Sequence, residues 1–89
     1  MIARHIRVTG RVQGVFFRAW AQDEAQTLGV SGWIRNCSDG SVEAQLEGEA
    51  EAIDELVELL GEGPPGARVD RVEVEEADSE GLSGFEVLH

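Results

Sequence analysis

Eighty-nine residues carrying eighteen acids against seven arginines, with no lysine, give a net charge of −11. A chain of that size forms one domain, residues 1–89, and buries roughly 60–65% of its unfolded surface without covalent staples. The acidity argues against nucleic acid or an anionic membrane as partner, and the single cysteine, Cys37, excludes an internal disulfide and suits a reducing cytoplasm.

The opening Met1-Ile2-Ala3-Arg4-His5 lacks an apolar run of signal-peptide length, and no segment reaches membrane-spanning length. Ile6 and Val8 alternate with polar neighbours, which predicts a strand over about residues 3–10. Ala19 to Leu28 is rich in helix formers, so a helix is expected over about 17–28, with Gly29 as its C-cap. Val30 to Asn36 reads as a second strand and Ser41 to Glu47 as a third. In the third, Val42, Ala44 and Leu46 share one face and Glu43, Gln45 and Glu47 the other. Ser38-Asp39-Gly40 turns between them, making a hairpin.

From Glu49 to Leu60 the period becomes helical. Ile53, Leu56, Val57 and Leu60 form a stripe, with Glu51, Asp54, Glu55 and Glu58 outside it. Gly61 to Gly66, with Pro64 and Pro65, ends that helix. A strand follows over about Arg68 to Glu76, and a last one over Phe85 to Leu88. The order predicts an α+β two-layer sandwich, with an antiparallel sheet and both helices on one face.

Between the first strand and first helix lies Gly10-Arg-Val-Gln-Gly-Val-Phe-Phe-Arg18. Glycines permit left-handed angles that let successive N–H groups point at one anion, and a helix N-terminus adds partial positive charge. Arg18 adds a planar fork suited to phosphate oxygens. On chemistry alone two glycines and an arginine at a turn are more often plain connection than binding site. It is neither a Walker loop nor a dinucleotide fingerprint. Val12 stands six places before Arg18, where a cysteine phosphatase would carry its nucleophile.

Charge is uneven: residues 1–38 hold five arginines against two acids, and residues 39–89 two against sixteen. The basic part is therefore the one that holds this stretch. Asn36 alone reads as a turn residue, Cys37 as an inert strand residue, and His5 and His89 as surface residues. Trp20 and Trp33 are expected to pack. No cluster has metal-ligand spacing, so neither metal nor cofactor is implied.

Gly10 to Arg18 resembles the first signature of the acylphosphatase family. Gly32-Trp-Ile-Arg-Asn-Cys-Ser-Asp-Gly-Ser-Val-Glu43 resembles the second, in the expected order and spacing. The similarity extends to Gly84-Phe85. It departs at Ile34, where valine is common, and at Leu88-His89, where a basic ending is frequent. The resemblance implies a ferredoxin-like βαββαβ fold and hydrolysis of small acyl phosphates to carboxylate and inorganic phosphate.

By the same resemblance, the backbone amides of Gln13, Gly14, Val15, Phe16, Phe17 and Arg18, with the Arg18 side chain, bind the phosphoryl group. Asn36 orients the attacking water, and no metal takes part. The expected partners are a small acyl phosphate and inorganic phosphate, as product and inhibitor, with no nucleic acid and no membrane. The enzyme is expected to be a cytoplasmic monomer. The alternative is a non-catalytic acylphosphatase-like binding or regulatory module. An RNA-recognition module shares the element order but reads RNA with aromatics on its central strands, and residues 41–47 contain none.

Overall fold

The computed structural model describes all 89 residues. In chain order they form β1 (Ile2–Arg11), α1 (Phe17–Leu28), β2 (Ser31–Asn36), β3 (Val42–Gly48), α2 (Ala50–Glu62), β4 (Arg68–Glu76) and β5 (Phe85–Val87). The strands make one sheet in the order β4-β1-β3-β2-β5. Both helices cover one face, α1 over β2 and β5, α2 over β4, β1 and β3.

The core lies between these layers. Ile6, Val8, Ile34, Val42, Ala44 and Leu46 face Phe17, Ala21 and Ala25 of α1 and Ile53, Leu56 and Leu60 of α2. Each buried Ile or Leu contributes about 1.5–3 kcal/mol. That outweighs the like-charge pairs on the outer face of α2, such as Glu51 with Glu55, each worth about 0.2–0.5 kcal/mol. Packing therefore sustains this acidic helix.

Two signature glycines serve close approach between strands. A Cβ on Gly10, at the bulge where β1 shifts register against β4, would lie 2.2 Å from the Arg68 carbonyl oxygen. One on Gly32 would lie 1.8 Å from that of Gln45. Neither position has room for a side chain.

The sheet is antiparallel through β4, β1, β3 and β2, as expected, but β5 pairs parallel to β2. Topology is the reason. β4 ends opposite the start of β1, at the end of the sheet where β2 begins. Residues 77–84 cross at that end, so the chain can join the far edge only in the direction of β2.

The polar face of β3 is buried as well. Glu43, Gln45 and Glu47 are all under 10% exposed: residues 78–82 fold over Gln45 and Glu47, and Arg35, His5 and Arg7 close over Glu43. Glu47 accepts hydrogen bonds from the Glu80 N–H (2.7 Å), the Ser79 hydroxyl (3.0 Å), the Gln45 amide (3.2 Å) and the Leu82 N–H (3.3 Å). Burial pushes its carboxyl pKa up, but these donors more than offset that, and the pKa lies below the ordinary 4.5.

A depressed carboxyl pKa stabilises the fold above the unfolded value, and the stabilisation is lost as pH falls towards the folded value. Glu47→Gln is therefore expected to cost about 1–3 kcal/mol at pH 7. It is also expected to flatten the decline in stability below pH 4.5. Urea midpoints of both proteins across that range check this; parallel acid limbs would count against it.

Candidate active site

Residues 12–16 connect β1 to α1. Gly14 has φ 74°, and Phe16 takes the left-handed conformation at φ 60°, ψ 26°. The N–H groups of Gln13, Gly14, Val15 and Phe16 donate to no acceptor within the chain. α1 begins without a side-chain cap and without an acid in its first turn. Its first amides, Phe17 and Arg18, have no intrahelical acceptor either. Donors free of internal partners thus extend from residue 13 to residue 18, at the positive end of the helix dipole.

Arg18 in that first turn opposes the dipole, so local helix stability is not what favours it there. Its Nη1 donates to the Leu88 carbonyl at 2.8 Å, across a sequence separation of 70 residues. The same nitrogen lies 3.5 Å from Nδ1 of His89. The carbonyl fixes one edge of the guanidinium and leaves its other donors free.

Asn36 is the last residue of β2 and is exposed. The turn after it is closed by the Cys37 N–H donating to the Ser41 carbonyl at 2.8 Å. Asp39 accepts from the Ser41 hydroxyl (2.6 Å) and amide (2.9 Å), and these bonds hold its carboxyl below the usual range. Gln13 ties the loop to this turn, its Nε2 donating to the carbonyls of Cys37 (2.8 Å) and Ser41 (2.9 Å).

A cavity of about 360 Å³ brings Gly14, Phe16, Phe17, Arg18 and Asn36 together, with Val12 and Ala19 in its wall and Val87 and His89 at its β5 side. Gln13 and Val15, also predicted, do not line it. The Gln13 side chain reaches the hairpin, and Val15 packs against the core. His89, expected as a plain surface residue, is exposed but lines the cavity. The parallel course of β5 carries residues 87–89 to the end of the sheet where β2 stops.

The Leu88 carbonyl has no sequence signal, being backbone. Gln13 had one, a polar amide inside an otherwise apolar loop. Neither tryptophan reaches the cavity. Trp20 packs edge-on to Phe17. Trp33 lies on the sheet face opposite the helices, under Arg35 at 5.7 Å, and donates to Glu80.

That face supports the hairpin electrostatically. Glu43 receives Arg35 Nε, lies 2.8 Å from His5 Nε2 and has Arg7 at 3.7 Å. His5 is thus half-buried against this carboxylate. Burial raises the Glu43 carboxyl pKa, and the Arg35 and His5 hydrogen bonds overcome it, leaving the group below 4.5. Glu43 is occupied structurally and lies outside the cavity, whose polar side chains are Arg18, Asn36 and His89.

The family model described as Acylphosphatase matches residues 4–87. An acylphosphatase of Rubrobacter xylanophilus is 61% identical over 83 residues, covering 92% of this chain and 76% of that protein. The crystal structure of acylphosphatase from Bacillus subtilis superposes with a TM-score of 0.96 at 39% identity, covering 100% of both chains. A HypF structure from T. kodakarensis matches with a TM-score of 0.83 at 38% identity, over 98% of this chain and 12% of that one.

Proposed function

The chain belongs to the acylphosphatase family and hydrolyses acyl phosphates; from that premise we propose that Arg18 and the amides of residues 13–18 bind the phosphoryl group while Asn36 orients the water that attacks it. The observation carrying this reading is the shared cavity. It sets Asn36 and a carbonyl-anchored Arg18 beside a run of N–H groups that have no internal acceptor.

An acyl phosphate expels a carboxylate whose conjugate acid has a pKa of about 4, so the leaving group needs no proton. The transition state for phosphoryl transfer is loose, with charge on the three equatorial oxygens, and catalysis is mostly positioning and charge stabilisation. Arg18 and the amides supply the stabilisation. The Asn36 amide accepts from or donates to water without removing its proton. The water oxygen bonds to phosphorus, the bond from phosphorus to the acyl oxygen breaks with its electron pair leaving on the carboxylate, and the water proton passes to solvent.

The polar side chains of the cavity include no carboxylate to hold a hard divalent cation, so the reaction is proposed to be metal-independent. Inorganic phosphate, the product, is proposed as a competitive inhibitor. The same reading has the enzyme acting as a cytoplasmic monomer on small molecules, not on nucleic acid. No helix is long and apolar enough to cross a membrane.

The test is hydrolysis of acetyl phosphate by the purified chain. The rate is expected to be unchanged by a chelator, with phosphate raising KM and leaving kcat alone. Loss of activity on chelation, restored by a divalent ion, would overturn the metal-free mechanism. The HypF match shows that a similar fold occurs within a larger protein, and turnover by this chain alone distinguishes an enzyme from a module of that kind.

A further inference from the structure

Phe16 breaks two rules at one position. It is the one non-glycine residue with positive φ, a conformation unfavourable for a bulky side chain, and the residue is 86% exposed, where water disfavours an apolar ring. Asparagine or glycine would suit both backbone and solvent. The fold makes no use of the ring. Its neighbour Phe17 is 2% exposed and fills the core, whereas Phe16 lies outside the core and its packed margin and has no aromatic partner. Ala19, one turn further on, is small and exposed. Yet Phe16 lines the cavity that holds Arg18 and Asn36. Val12 and Phe17, which line it too, are already committed to the core at 1% and 2% exposure. Features that cost stability twice at one residue mark function rather than folding.

We propose that the Phe16 ring is the acyl-recognition surface of the enzyme, favouring acyl phosphates with a flat apolar acyl group over acetyl phosphate. This rests on the placement of the phosphoryl group given above. With that group on the amides of the loop, the acyl substituent must leave past the side chains that stand around it. Phe16 contributes its amide to the loop and its ring to the rim. A ring at that place stacks on an aromatic acyl group and removes apolar surface from water, and it has little to offer a methyl group.

The experiment compares kcat/KM for benzoyl phosphate and acetyl phosphate in the wild type, Phe16→Asn and Phe16→Tyr. Asparagine tolerates the left-handed backbone and deletes the ring, so the loop keeps its shape; tyrosine retains the ring. The benzoyl-to-acetyl ratio is expected to fall about tenfold in Phe16→Asn and to stay within about twofold of wild type in Phe16→Tyr. An unchanged ratio in Phe16→Asn, with both substrates losing equally, overturns the proposal, because the ring would then only shape the loop. A wrong placement of the phosphoryl group shows elsewhere: Arg18→Ala would leave inhibition by inorganic phosphate intact, whatever the ratio does.

Discussion

Arg18→Ala is expected to lower kcat/KM for acetyl phosphate by about 10³-fold or more, the scale on which a single arginine acts in phosphoryl transfer. Inhibition by inorganic phosphate should weaken with it, by about tenfold or more, because a charge-assisted pair is lost from the ground state too. Arg18→Lys recovers little of either. The guanidinium gives one N–H to the Leu88 carbonyl and has donors left for phosphoryl oxygens, whereas an ammonium offers a point charge without the fork. The fold should tolerate both changes, since Arg18 is only half-buried and its partner, a carbonyl next to the exposed His89, can turn to water. Steady-state kinetics with phosphate as inhibitor, together with unfolding midpoints, test this. An unchanged phosphate Ki in Arg18→Ala would remove the guanidinium from the phosphoryl group.

Asn36→Ala is expected to act differently. A residue that orients water matters on the way to the transition state and not in the complex with phosphate. kcat should therefore fall by about 10²-fold or more, as for the loss of one positioned polar group. The phosphate Ki should stay within about twofold, and stability should shift by no more than about 0.5 kcal/mol, because an exposed strand-end residue costs little to replace. The hairpin keeps its shape without it, since the turn is closed by Cys37 and Ser41 and tied to the loop by Gln13. If Asn36→Ala weakened phosphate binding as much as Arg18→Ala, the two residues would share one role and the water would need another guide.

The contrast between what could and could not be read from the residues has physical causes. α1 and α2 were readable because the helix formers of one, the apolar stripe of the other and the glycines that end both act locally. Gly29, at φ 72°, caps α1 by donating to the Ala25 and Gln26 carbonyls, as its position after Leu28 suggests. Arg18 and Asn36 were singled out by their places in the two signatures, Asn36 alone reading as a turn residue, and one cavity receives both.

The direction of β5 was not readable, because it depends on where residues 77–84 cross, and Glu47 anchors that crossing from a distant strand. The burial of Gln45 and Glu47 was hidden for the same reason, and that of Glu43 because His5, Arg7 and Arg35 reach it from neighbouring positions in the sheet. Alternation reports which residues share a face but not whether another segment covers it. The left-handed Phe16 contradicts the preference of its residue type, so no propensity could announce it. The place of His89 followed from β5 and was lost with it.

The carbonyl that holds Arg18 belongs to the least secured part of the sheet. β5 is three residues long, on an open edge, paired only with β2. Beyond that ladder it is held by the buried Phe85, the packing of Val87 on the core, the Gln22 side chain on the Phe85 carbonyl, the Gly32 N–H on the Gly84 carbonyl and the Leu88 N–H on the Ile34 carbonyl. Short edges of this kind open at far lower free energy than central strands, and they do so while the rest of the domain stays native. Each such opening withdraws the Leu88 carbonyl and returns the guanidinium to its rotamers. With Arg18 in its proposed role, activity is therefore expected to be lost on heating before far-ultraviolet dichroism registers any loss of structure, and coincident transitions of the two signals would count against it.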